Sequence, residues 1–252
     1  MGTVTKDVTK SPSEESAKDS SQGSTETKDR NKRPVGRPRR LELETIVATA
    51  RRVLEEEGVA ALSMRRLAKE VGSTPMALYH HVQDKDELLM HVLVGTARAL
   101  PRPDLPAEPR ARLRAVAVHM HDILRRMPWV VEILGLGDVT DRHALWMVEE
   151  IIDSAMRCGL SEHQAVRAYR TLWHYVYGEL VFQAAMARRA EQPGRRRYFP
   201  EMLAVPAEAD PAELPRLTSL ADRWLELTAD YDVAEEITAI IDGLLARRND
   251  ER

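Results

Sequence analysis

A single cysteine, Cys158, stands in 252 residues. No disulfide framework can form within one chain, which fits a reducing compartment. No apolar run approaches the ~20 residues that a membrane-spanning helix requires. Residues 1–29 contain six serines and no signal-peptide core. These absences lead us to expect a cytoplasmic protein with no membrane partner. Alternating Val, Ile and Thr runs between turns are missing, so strands are not expected. So are a P-loop, a GxGxxG after a strand, a GxSxG elbow and an HExxH pair. The histidines of "HMH" at 119–121 fall on different helix faces, and adjacent His80 and His81 lack the i, i+4 spacing of helical metal ligands. No catalytic residue, metal site or cofactor is expected, and the chain does not read as an enzyme.

A strong charge of either sign is also missing. The formal net charge is -3, so bulk charge does not announce a nucleic-acid partner. Its distribution says more. Residues 30–40 read "RNKRPVGRPRR", six basic side chains and no acidic one. Residues 1–29, before this arm, have too few large apolar groups to offset ordering entropy, and disorder is expected there.

Hydrophobic residues make up 43% of the chain, and beyond residue 41 nearly all follow a helical period. The expected class is all-α. The first helix, 43–57, carries Leu43, Ile46, Val47, Ala50, Val53 and Leu54 on one stripe and stops at Gly58. A second, 63–71, has Ser63 as N-cap and Met64, Leu67, Ala68 and Val71 on one face. Gly72 ends it. Thr74 caps a third, 74–82, with Pro75 at its first position. Asp84 and Glu87 form a capping-box pattern opening a fourth.

Two short helices joined by a tight glycine turn make a helix-turn-helix. The later helix of such a pair lies in a major groove about 12 Å wide. Leu78 and Val82 face the small core, so Tyr79 and His80 face outward. Lys85 stands on the first turn of the next helix, where free N–H groups already favour anions. Arg65 and Arg66 add positive charge on the same side. Arg37, Arg39 and Arg40 of the basic arm are placed to follow a DNA backbone or enter a minor groove.

Residues 46–89, "IVATARRVLEEEGVAALSMRRLAKEVGSTPMALYHHVQDKDELL", resemble the DNA-binding domain of TetR-family transcriptional regulators. "LSMRRLAKEVG", "MALYHHV" and "KDELL" stand in that family's order and spacing. The resemblance implies that Arg65, Ala77, Tyr79, His80, His81 and Lys85 meet DNA, with Thr74 keeping the cap. Ser73–Thr74 departs from the family's usual Val–Ser.

The quadruple-proline break "PRPDLPAEP", residues 101–109, separates this unit (41–100) from a second (110–248). Further helices are expected at 110–127, ended by Pro128, and at 144–158, 161–189, 217–230 and 233–248, with a flexible loop over 193–215. On the longest, Val166, Tyr169, Trp173, Val176 and Leu180 form one stripe. Ala165, Ala168, Leu172, Tyr175 and Phe182 form another. Two apolar faces require two covers, and a partner subunit is one candidate. Gly178 costs about 1 kcal/mol there relative to alanine, which suggests a close backbone approach. Aromatic residues are 5% of the chain and concentrate in this half. Met120, Trp129, Trp146, Met147, Trp173, His174 and Tyr177 are candidate pocket residues, with His119 and His121 as further polar groups.

"RRMPWVVEIL", "AYRTLWHYVYGELV" and "EEITAIIDGLLARR" resemble the regulatory domain of the tetracycline-repressor subgroup. That resemblance implies a helical ligand-binding and dimerisation domain and a hydrophobic effector such as a multi-ring antibiotic or polyketide. The expected protein is a homodimer that binds a double-stranded, pseudo-palindromic operator and releases it on binding a small molecule. Activation, ligand-independent regulation, and a helical enzyme or carrier remain alternative readings.

Overall fold

The computed structural model describes residues 41–136, 142–190 and 214–247, and no strand occurs among them. The expected tail 1–29, the arm with Arg37, Arg39 and Arg40, and nearly all of the loop 193–215 lie outside the described residues. The helices are α1 (Leu43–Glu57), α2 (Met64–Glu70), α3 (Pro75–Tyr79), α4 (Lys85–Ala99), α5 (Pro109–Arg125), α6 (Pro128–Leu134), α7 (Leu145–Arg157), α8 (Glu162–Ala190), α9 (Pro215–Leu220), α10 (Trp224–Leu227) and α11 (Val233–Ala246). None of the described helices is long and apolar enough to cross a membrane.

Side-chain caps set the short helices. Ser63 Oγ accepts the Arg66 N–H at 3.2 Å, and Thr74 Oγ1 accepts the Ala77 N–H at 3.3 Å. Asp84 Oδ1 accepts the Glu87 N–H at 2.8 Å, while the Glu87 carboxylate reaches back to the Gln83 N–H. These bonds satisfy donors that a helix N-terminus leaves open. Gly72 turns the chain between α2 and α3 at φ +67, a conformation that other residues rarely adopt. Ile46, Ala50, Val53, Leu54, Leu67, Leu78, Val82, Leu88 and Val92 are buried and make the core of this first group of helices.

Helix α3 is shorter than the 74–82 expected from sequence. His80 is its C-cap and His81 lies in the following turn. The backbone bends there because the next cap, Asp84, and the bonded Gln83 N–H already belong to the start of α4.

Helix α5 organises the remainder. It packs on α6, α7, α8 and α11 and buries Leu113, Val116, Ala117, Met120, His121, Ile123 and Leu124. Arg112 binds Glu150 of α7 at 2.7 and 2.9 Å, and Arg110 grips Asp242 of α11 through both carboxylate oxygens at 2.6–2.8 Å. Pro128 does end the α5 run, but it also occupies the first turn of α6, a helix the sequence pattern did not suggest. The expected helix 217–230 is broken into α9, a 3-10 turn and α10. No residue of α9 is buried, and a short helix without tertiary cover does not propagate.

The Ser161/Gln164 pair caps α8 reciprocally at 3.0 and 3.3 Å, and its 29 residues span about 43 Å. Its buried stripe is Ala165, Ala168, Leu172, Val176 and Leu180, whereas Val166 and Phe182 are exposed. The two expected stripes are therefore redistributed: the large side chains at 166 and 182 lie outside the monomer core.

This difference is measurable. Ile151→Ala, at a fully buried site of α7, is expected to lower unfolding free energy by about 2–5 kcal/mol in urea. Val166→Ala is expected to change that of the dilute monomer by no more than about 0.5 kcal/mol.

Candidate nucleic-acid interface and interior cavity

The inner side of α3 is fixed by Leu78, fully buried, and by Val82 just beyond its end. The opposite side presents Thr74, Met76, Tyr79 and His80 to solvent, while Ala77 and His81 are half-buried. Met76 is a residue that the sequence reading passed over, although its i, i+3 spacing from Tyr79 was available. Arg65, on α2, is exposed and has no ion-pair partner among the described residues. Lys85 is half-buried, with Nζ 3.4 Å from the Val59 carbonyl.

Arg66 does not add free positive charge beside Arg65, contrary to the sequence expectation. Its guanidinium binds Glu57, one of those bonds at 2.8 Å, and Glu70 at 2.9 Å, and Glu70 also pairs with Arg52. Hydrogen bonds from Arg66 hold the carboxyl groups of Glu57 and Glu70 below the usual carboxylate range. The arginine is thus spent on tying α2 to the end of α1.

A cavity of about 330 Å³ lies among α4, α5, α6, α7 and α8. Met120, Met147 and Trp173 line it, as do Leu93, Thr96 and Ala97 of α4 and Leu100 at its C-cap. Among the described residues, no Asp, Glu, Lys, Arg or His contributes to its wall. The Thr96 hydroxyl is already bonded to the Val92 carbonyl at 2.9 Å. Tyr169, whose pKa is pushed up by desolvation, brings a neutral phenol to the same space. Its placement, and that of α4, was not foreseen, because the proline break after residue 100 assigns the fourth helix to the other unit.

The remaining candidates go elsewhere. Trp129 is buried in the core. The Trp146 ring lies 5.8 Å from the His119 ring, and the Arg102 guanidinium stands over it at 5.2 Å. Tyr177 stacks on Trp173 at 5.7 Å but faces a separate groove between α6 and α8. His174 is exposed. Among the described residues, no cluster of three or more His, Cys, Asp or Glu side chains could hold a metal.

Residues 46–92 match the model for bacterial regulatory proteins of the tetR family, and residues 102–248 match the tetracyclin repressor-like C-terminal domain. The chain belongs to the TetR family. The resemblance read in residues 46–89 and the all-helical class are thereby borne out. The HTH-type transcriptional repressor DrrR1 of Streptomyces coeruleorubidus is 31% identical over 172 residues, 67% of this chain and 62% of DrrR1. The match thus spans less than two thirds of that relative's length. Apo ActR from Streptomyces coelicolor superposes with a TM-score of 0.66 at 26% identity, covering 85% of this chain and 99% of ActR. ActR in complex with actinorhodin gives 0.64 at 25% identity, covering 83% and 99%.

His119 is expected to add an acid-sensitive contribution to the stability of this TetR-family chain. One ring nitrogen donates to the Pro101 backbone, and Nε2 is buried with no partner. Desolvation is the main cause that lowers its pKa from 6.5. Its folded pKa lies below the unfolded value, so its contribution is full above 6.5 and is lost as pH falls through the lowered value. Urea unfolding at pH 7.5 and below 6 is expected to show a smaller acid loss for His119→Gln than for the native chain.

Proposed function

We propose that the protein is a homodimeric, cytoplasmic transcriptional repressor that leaves its operator when a neutral hydrophobic molecule fills the cavity. Residues 41–100 act as the DNA reader, and residues 110–248 as the ligand-binding and dimerisation unit. The observation that carries this reading is α4. Its first half is packed into the core of the reader through Leu88, Leu89 and Val92, and its second half walls the cavity through Leu93, Thr96, Ala97 and Leu100. A molecule in the cavity touches the helix that holds α3. If it favours one placement of α4, it changes the spacing of the two readers, and operator and effector binding become reciprocally coupled.

At the reader, Tyr79 and Lys85 are assigned to phosphates and Arg65 to a base edge, with Ala77, His80 and His81 beside them. Thr74 holds the start of α3. Arg37, Arg39 and Arg40 are assigned to the flanking backbone or minor groove. For the dimer, Thr171, His174, Gly178, Val181 and Phe182 leave one side of α8 open. A side-chain carbon added at Gly178 would meet nothing within 4 Å. No described residue makes that close approach, and it is assigned to a second subunit's helix. Dimerisation lets two readers address a pseudo-palindrome.

The cavity argues for an uncharged effector. Burying an ion against Leu93, Met120, Met147 and Trp173 would be costly without a paired charge. Tyr169 and Trp173 supply polar handles, which suits a multi-ring aromatic carrying a carbonyl or hydroxyl. The similarity to ActR, solved in complex with actinorhodin, supports the antibiotic or polyketide class. Met120, Met147 and Trp173 are retained as effector contacts; Trp129, Trp146, His174 and Tyr177 do not line the cavity.

The deciding experiment is a gel shift on the DNA upstream of the protein's own gene, with salt titration and competitor DNA. A specific, salt-sensitive shift is expected; no shift there or in a genome-wide pull-down would overturn the proposal. Arg65→Ala and Tyr79→Ala are each expected to weaken the complex by about tenfold with the fold intact. Met147→Trp, which fills the cavity, is expected to bind DNA normally yet resist release by the effector.

A further inference from the structure

Met76 is 68% exposed, more than Leu136 at 64% or Phe182 at 61%. It stands on the second residue of α3, one turn before Tyr79, itself 47% exposed. Leu78, with no exposed surface, pins the opposite side. The short helix therefore cannot roll to hide Met76 without pulling Leu78 from the core. Nothing in the described chain covers this thioether, and its neighbours on the same surface are polar or aromatic.

We propose that Met76 is a specificity-determining residue that reads the C5 methyl group of a thymine in each operator half-site. This rests on the assignment of α3 to the major groove. The edges of bases in that groove are hydrogen-bond donors and acceptors, with one apolar feature, the thymine methyl. Methionine offers a polarizable apolar chain and only a weak sulfur acceptor. Over a guanine, adenine or unmethylated cytosine it would strip water from polar edges without replacing the lost hydrogen bonds. Over thymine it covers a methyl that otherwise faces water. Attraction and penalty thus select the same base, and the length of the Met side chain lets it reach past the helix surface where Ala77 cannot.

The test uses the full chain and DNA sites selected by it from a random pool. Each thymine of the selected site is then replaced singly by deoxyuridine, which removes only the methyl. One position per half-site is expected to lose about fourfold in affinity, the value of one buried methyl-sized group. Met76→Ala, checked for native helicity, is expected to bind the thymine and deoxyuridine sites alike. Met76→Leu is expected to keep the discrimination. Replacing the critical thymine–adenine pair by 5-methylcytosine–guanine should retain more affinity than replacing it by cytosine–guanine. A selected site with no deoxyuridine-sensitive position, or with sensitivity unchanged in Met76→Ala, overturns the assignment of Met76 while leaving the reader in place. Failure to select any DNA overturns the groove assignment itself, and this inference with it.

Discussion

Helix α4 is committed to two sets of neighbours at once. Leu88, Leu89 and Val92 are buried where α4 packs on α1, and cannot leave that core without exposing apolar surface. Leu93, Thr96, Ala97 and Leu100 belong to the wall of an internal cavity. Fifteen residues of one rigid helix, about 22 Å, span both tasks. Its far end is also fastened: Arg98 donates to His143 at 3.3 Å, and Arg102 lies over Trp146. A rigid rod with both ends held transmits a displacement, because packed interiors do not deform smoothly. The geometry of α3, the placement of Tyr79 and the shape of the cavity all depend on where this helix lies.

Charge is distributed by the same economy. The α1–α2 corner places Arg52 and Arg66 among Glu57 and Glu70, so two of its cations are neutralised locally. Arg65, next in sequence to Arg66 but about 100° around the helix, is left to solvent. Among the described residues, the phenol of Tyr169 is the one ionisable group that lines the cavity. The ion pairs of α5 with Glu150 and Asp242 run along the outside of the second helical group instead. Formal charge therefore lies on the outer faces of the described helices, and the cavity is lined by apolar side chains and a few neutral polar atoms.

Local signals were legible in the sequence wherever a single residue decides a local geometry. Ser63, Thr74 and Asp84 were readable as caps because each needs only a neighbour three residues on. Gly72 was readable as a stop because the turn needs a positive φ. The order "LSMRRLAKEVG", "MALYHHV" and "KDELL" then pointed to the family. What failed locally failed for want of a tertiary term: α6 starts at a proline that read as an end, and residues 217–230 break where no partner covers them.

The candidate cavity shows the same division more sharply. Composition identified an aromatic-rich half, and periodicity said which side chains face inward. Neither distinguishes a side chain that fills the core from one that borders a void, since both are apolar and both lie on the buried face. Trp129 and Trp173 look alike in sequence, yet one is packed solid and the other borders the cavity. The contribution of α4 to that cavity depends on contacts between residues 93–100 and residues 120–173, which no local pattern encodes. Sequence by itself determined most of the helices, the caps at Ser63, Thr74 and Asp84, and the family, because these rest on near-neighbour stereochemistry. Tertiary structure alone decided which arginine stays free, which stripe of α8 is covered and where space remains, because each is set by what packs against the helix from far along the chain.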